Sequence, residues 1–188
     1  MKSNHTPRFR PRTIIVLMIA VALAISTIAY GQQPAAMSQQ IYMMKTLKPG
    51  LKTVGVMGTK LSDKDLQEIT RLGLGFGVEF VFARPVSPKD IALFYKQLLK
   101  TRNIEMLWLP DVGDEAMLRI GFQFLRENTV LDGIGLCTPL KDQVDAGALC
   151  SMQKEDGNII VYINRKIAVA LNVSIPNDPG SPILYITR

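Results

Sequence analysis

Residues 104–115 read Ile104-Glu105-Met106-Leu107-Trp108-Leu109-Pro110-Asp111-Val112-Gly113-Asp114-Glu115. Met106 to Leu109 form a short apolar run with the chain's one tryptophan, and Pro110 stops it because proline cannot donate to a strand ladder. Asp111 and the Gly113-Asp114 pair then open a helical pattern. A buried strand that ends in Pro-Asp and turns into a helix is the middle unit of a repeating βα domain. In such sheets ligands meet the carboxyl ends of the strands, which makes Asp111 the first candidate contact.

The same alternation extends on both sides. Upstream, Ile41, Met44 and Leu47 give a weak helical pattern that Lys48-Pro49-Gly50 ends. Residues 52–57 form an apolar strand carrying Val54 and Val56, followed by the turn Gly58-Thr59-Lys60. Ser62 and Asp65 have capping-box spacing, and Leu66, Ile69 and Leu72 make one apolar stripe behind them. Gly73, Gly75 and Gly77 do not form a dinucleotide loop, because they follow a helix and precede the strand 78–83; helix C-capping accounts for them better. Ser87-Pro88-Lys89-Asp90 starts another helix with proline at its first position. Ile91, Phe94, Tyr95, Leu98 and Leu99 supply its wide apolar stripe.

Downstream, 115–128 reads as a helix with apolar residues on more than one side: Met117, Leu118, Ile120, Phe122, Phe124 and Leu125. That surplus predicts deep burial or an exposed contact surface involving Phe122 and Phe124. A fourth strand is expected over 131–137, one helical turn from Pro139 to Val144, and a fifth strand over 148–152. Glu155-Asp156-Gly157-Asn158 reads as a hairpin turn into 159–162, and Asn164 as the cap of a last helix. The tail carries Pro176, Pro179 and Pro182 before a final apolar run at 183–186. The fold class is therefore α/β, three layers, a mostly parallel Rossmann-like sheet with helices on both faces.

Residues 1–31 stand apart from this fold. Lys2, Arg8, Arg10 and Arg12 precede the apolar run 14–30, and Ala29 and Gly31 place small residues at a cleavage site. The expected domains are thus a signal peptide over 1–31, a linker and N-terminal helix over 32–46, and a single α/β domain over 47–188. Periplasmic localisation follows, with an uncleaved membrane anchor as the alternative. Cleavage lowers the formal charge from +6 to +2, because the leader contains four basic residues and no acidic one. No basic run with interleaved aromatics remains, so nucleic acid is not an expected partner.

The chain's one histidine, His5, lies in the leader. The remaining chain therefore has neither Ser-His-Asp nor Cys-His chemistry, nor the usual zinc ligands. No catalytic residue, metal or cofactor is expected, and the chain is read as a non-enzyme. Two cysteines remain, Cys137 and Cys150. An even pair in an oxidising compartment suggests a disulfide, which would close a loop of about 14 residues and contribute roughly 3 kcal/mol. Two buried free thiols are the competing assignment.

Several stretches resemble one family. Leu47-Lys48-Pro49-Gly50-Leu51-Lys52-Thr53-Val54-Gly55-Val56 resembles the start of the first lobe in ABC transporter substrate-binding proteins of the type 1 periplasmic fold. Ser87-Pro88-Lys89-Asp90-Ile91, continuing to Met106-Leu107-Trp108-Leu109-Pro110-Asp111, is similar to that family's helix, strand and Pro-Asp corner. Asp145-Ala146-Gly147-Ala148-Leu149 resembles the start of its fifth strand, and Tyr162-Ile163-Asn164 its closing asparagine-capped helix. Members of that family close two lobes on a solute, whereas this chain has residues for one. The closing segment 147–173 also resembles periplasmic repressors of membrane diguanylate cyclases, single-domain exported proteins that act on a membrane partner.

The first resemblance implies an exported, non-enzymatic module that binds a small-molecule ligand at the strand carboxyl ends, through Gly58, Thr59, Asp111 and Thr138. Each has a competing local role: a turn at Gly58-Thr59, a helix cap at Asp111, a cap for the turn after Thr138. The second implies a regulatory protein whose partner is a membrane transporter, sensor kinase or receptor. A homodimer is compatible with either.

Overall fold

The computed structural model describes residues 33–176 and 183–188. The expected leader lies outside them, as do Pro179 and Pro182. The α/β domain is one compact unit, Pro34–Arg188.

Strand β1 (Gln33–Pro34) leads into α1 (Met37–Leu47). Then come β2 (Thr53–Met57), α2 (Asp63–Phe76), β3 (Glu79–Ala83), α3 (Ile91–Thr101) and β4 (Met106–Trp108). After these follow α4 (Phe122–Leu131), β5 (Gly135–Thr138), α5 (Lys141–Asp145), β6 (Cys150–Glu155), β7 (Asn158–Ile163), α6 (Arg165–Ala170) and β8 (Ile183–Thr187). The sheet runs in the order β3-β2-β4-β5-β6-β7-β8. Strands β2 to β6 are parallel, β7 returns antiparallel to β6, and β8 runs parallel to β7.

Side chains alternate across the sheet as the period of two requires. Val54, Val56, Met106, Trp108, Cys137 and Cys150 face one layer, where α1, α2 and α6 cover them with residues such as Ile41, Met44, Ile69 and Ala168. Met57, Leu107, Leu109 and Leu136 face the other, under Tyr95 and Leu98 of α3 and Phe122 and Leu125 of α4. The three-layer arrangement expected from the sequence is the one observed. Helix α1, a weak pattern in the sequence, contributes fully buried Ile41, Met43 and Leu47 to the first layer.

Local signals set most helix starts. Ser62 caps α2, its hydroxyl accepting from Asp65 N while Asp65 Oδ2 accepts from Ser62 N. Asn164 Oδ1 accepts from Ile167 N and starts α6. The glycine cluster is more than a cap. α2 continues through Gly73 and Gly75, and only Gly77, at φ +63°, is the left-handed terminator. Gly73 instead admits β3: a Cβ there would stand 2.6 Å from the Val78 carbonyl and 2.6 Å from the Phe80 ring. Gly73→Ala is therefore expected to cost about 1–3 kcal/mol through overpacking. Gly75→Ala, in open space, should stabilise the helix by about 0.5–1 kcal/mol. Urea midpoints of the two variants should move in opposite directions.

The helix after β4 differs most from its expectation. It contains a π turn at Met117–Gly121 before α4 proper. The extra residue in that turn lets Met117 and Leu118 share a buried face with Phe122 and Leu125, which explains the apolar surplus. Phe122 is 5% exposed and Phe124 stands edge-on to Tyr95, centroids 6.1 Å apart. The expected exposed surface at Phe122 and Phe124 is thus consumed by core packing. Residues 131–133 end α4 instead of starting the fourth strand, because Gly133 at φ +71° turns the chain first.

Candidate functional site

The carboxyl ends of β2, β4 and β5 carry the four residues predicted to contact a ligand. The structure brings two of them together around a residue the prediction missed. Asp114, 2% exposed, reaches from the loop after β4 to the loop after β2. Its Oδ2 accepts from the backbone N–H and the hydroxyl of Thr59, the latter at 2.7 Å, and from Lys60 N at 3.2 Å. Its Oδ1 accepts from Met117 N at 3.1 Å, capping the π turn. Lys60 Nζ closes the same corner by donating to the Gly113 carbonyl at 2.9 Å. Gly58 lies beneath, where a Cβ would be 3.1 Å from Leu61 and 3.8 Å from Asp114 Oδ2.

This is an anion cradle of the kind that converging N–H groups form at a loop. The occupant here is the chain's own carboxylate. The donors of Thr59 are consequently engaged before any external ligand arrives.

Asp111 and Thr138 do not join this cluster. Asp111 is exposed, and its Oδ1 accepts from Gly113 N at 3.3 Å, a local turn of the Asx type. Thr138 is buried; its hydroxyl donates to Gln143 Oε1 and accepts from Leu140 N at 3.4 Å. Gln143 Nε2 in turn donates to the Leu118 carbonyl, so this chain of bonds ties β5 and α5 to the π turn. On β6, Ser151 Oγ, next to Thr138, and Gln153 Oε1 are buried and have no hydrogen-bond partner among the described residues. Sequence reading offered no signal for Gln143, Ser151 or Gln153, since buried polar residues carry no period of their own.

Cys137 and Cys150 are direct register partners on β5 and β6. Both are buried free thiols, with sulfurs 3.1 Å apart. The hydrogen bond between them and their burial push the Cys150 thiol above its ordinary pKa.

Among the described residues, no group of three or more histidine, cysteine, aspartate or glutamate side chains is placed to hold a metal ion. Nor is any helix among them long and apolar enough to cross a membrane. Open hollows of about 330 and 410 Å³ lie on the flank of α2 and β3, between Thr70, Leu74 and Phe80 and between Leu66, Leu74 and Phe82. None of the four predicted ligand residues lines either one.

No protein-family model and no curated protein matches the sequence. Solved structures do match the fold. The ABC domain from Streptococcus pneumonia, in complex with L-Trp, superposes with a TM-score of 0.61 at 19% identity, over 75% of this chain and 57% of that one. A conserved domain protein from Vibrio cholerae gives 0.66 at 14% identity, over 82% and 60%. The ligand-free, open form of a substrate-binding protein with adhesive properties from Clostridium difficile gives 0.64 at 15%, over 81% and 60%. The chain thus spans 57–60% of the length of these structures. Its order of parallel strands and its helices on both faces are those of a periplasmic-binding-like fold, matching one lobe of a substrate-binding protein.

Proposed function

We propose that the protein is an exported, non-enzymatic binding module related to ABC transporter substrate-binding proteins, acting as a single lobe. The fold carries this reading, because it places Thr59, Lys60 and Asp111 along one strand edge in a lobe whose relatives in shape include an L-Trp complex. A single lobe offers one wall of a clam-shell site, so a ligand held there needs a second surface, either another copy or a membrane partner.

A specific observation favours a second reading. The Thr59 donors are already satisfied by Asp114, which leaves the edge self-contained. That suits a regulatory protein that meets a membrane sensor, transporter or receptor through protein contact better than a free solute receptor. The two readings separate in one pair of measurements. A thermal-shift screen of the mature protein against amino acids and small carboxylates should raise the melting temperature for a receptor, since stabilisation follows occupancy. A flat response, with periplasmic crosslinking that recovers one membrane protein reproducibly, selects the regulator. No shift and no crosslinked membrane protein would sink both. N-terminal sequencing of the exported chain tests cleavage after Gly31.

A further inference from the structure

The buried sulfur pair has a geometry that the binding readings do not use. In-register neighbours on adjacent strands lie about 4.8 Å apart, within the roughly 4.4–6.8 Å that a disulfide spans between Cα atoms. Cys137 and Cys150 are such neighbours, 3% and 0% exposed, with their sulfurs already in contact. Above them lies α1. A crevice with no room for a water molecule is lined by Gln40 and Met44 of α1, Met152 of β6, Trp108 and the two cysteines.

The cover is held in an unusual way. Gln40 is 5% exposed; its Nε2 donates to the Ala35 carbonyl and its Oε1 accepts from Trp108 Nε1 at 2.9 Å. At its start α1 lacks a side-chain cap, since Ala36 has none to give. Besides its apolar contacts, the helix that seals the thiols is held by the Gln40 amide bridge and, on its outer side, by Lys45 Nζ donating to the Phe76 carbonyl of α2.

We propose that Cys137 and Cys150 form a dithiol that oxidises to a reversible cross-strand disulfide, with α1 as the cover that controls access to it. The reaction is thiol–disulfide exchange with a low-molecular-weight disulfide. One cysteine, as thiolate, attacks an oxidant sulfur and breaks its S–S bond, releasing one thiol. The second cysteine loses its proton and attacks the mixed disulfide, forming the Cys137–Cys150 bond and releasing the second thiol. The two electrons lost by the cysteines reside in the two thiols released.

Reversibility follows from the sheet. Bonded cysteines need Cβ atoms roughly 3.5–4.5 Å apart, closer than the strand spacing, so the bond must draw β5 and β6 together. Strained disulfides are the more readily reduced ones. With α1 docked, the hydrogen bond with Cys137 and burial both favour the protonated Cys150 thiol, and exchange waits for the helix to lift and water to reach the pair.

The test uses the full mature protein, reduced and then exposed to excess oxidised glutathione. Both thiols should disappear together, with a mass about 2 Da lower and no glutathione adduct at the end point. Trp108 is the chain's one tryptophan and lines the same crevice, so its emission should fall on oxidation and return with dithiothreitol. Gln40→Ala should oxidise several-fold faster; should that variant not fold, sub-denaturing urea should give the same acceleration in the wild type. Cys137→Ser and Cys150→Ser should stop at a glutathione adduct. Two free thiols after prolonged exposure, a stable adduct on the wild type, or a rate indifferent to both Gln40→Ala and urea would overturn the proposal. A bond that survives strongly reducing glutathione buffers would overturn its reversibility. None of these results depends on whether the strand edge binds a ligand.

Discussion

Asp114→Ala should lose on the order of 3 kcal/mol of stability, and formate or acetate should restore part of it. The buried carboxylate accepts four hydrogen bonds from two loops and the start of the π turn. Leaving a buried donor unpaired costs about 1–3 kcal/mol. Three backbone N–H groups lose their partner here, and water entering the vacated space recovers some of the loss. A small carboxylate fits the same cradle, so it should raise the melting temperature of Asp114→Ala and leave the wild type nearly unmoved. Equal stabilisation of both proteins would mean the anion acts elsewhere. Rescue would also show how an external carboxylate is received at this edge once the internal one is gone, which bears directly on the receptor reading.

The second large effect is expected at Trp108. It is 1% exposed, it sits on β4 in the parallel part of the sheet, and its ring leans on Phe80 with centroids 6.1 Å apart. Trp108→Ala should cost about 3–5 kcal/mol, the range for removing a buried aromatic. Trp108→Phe retains most of the volume and isolates the polar contribution. The orphaned Gln40 Oε1 should then account for about 1–3 kcal/mol. Adding Gln40→Leu to Trp108→Phe should recover part of that loss, since replacing both hydrogen-bond partners by apolar groups is nearly neutral. Urea titrations followed by circular dichroism give the four values; a double variant less stable than Trp108→Phe would reject the Gln40–Trp108 bond as the cause.

The features legible in the sequence were those determined by neighbours within a few residues. Ser62 and Asp65, Asn164, and the Asp156-Gly157 turn act over three or four positions, and each appears where its spacing placed it. The strand-helix alternation was legible for the same reason, because each side chain's face is set by local period. Asp114 was not. It stood beside Asp111 and Glu115 as an acidic residue near a helix start, where the helix dipole explains acidity by itself, and its partners on the other loop, Thr59 and Lys60, lie 55 and 54 residues upstream. Knowing that β2 and β4 are neighbours is what would have found it. The final apolar run, β8, was visible as a run, but its place beside β7 depends on parallel pairing that no turn announces. Thr138 was legible as a cap for the turn after it, through Leu140 N, but its bond to Gln143 was not, because nothing local marks a buried glutamine.

The π turn has a consequence for how this stretch could be altered by insertion or deletion. An α-helix turns about 100° per residue. The π turn takes up one surplus residue in 117–121, such as the half-exposed Ile120, so removing that residue would leave a regular helix whose two ends keep nearly the same phase. With the residue kept and the turn drawn into a regular α-helix, everything before it would rotate by that angle relative to α4, and Asp114 would swing off the Thr59 loop while the buried row from Phe122 to Thr129 remained in place. The irregularity therefore acts as a phase adjuster: one surplus residue reconciles the pitch of the helix with the position of a loop on another strand.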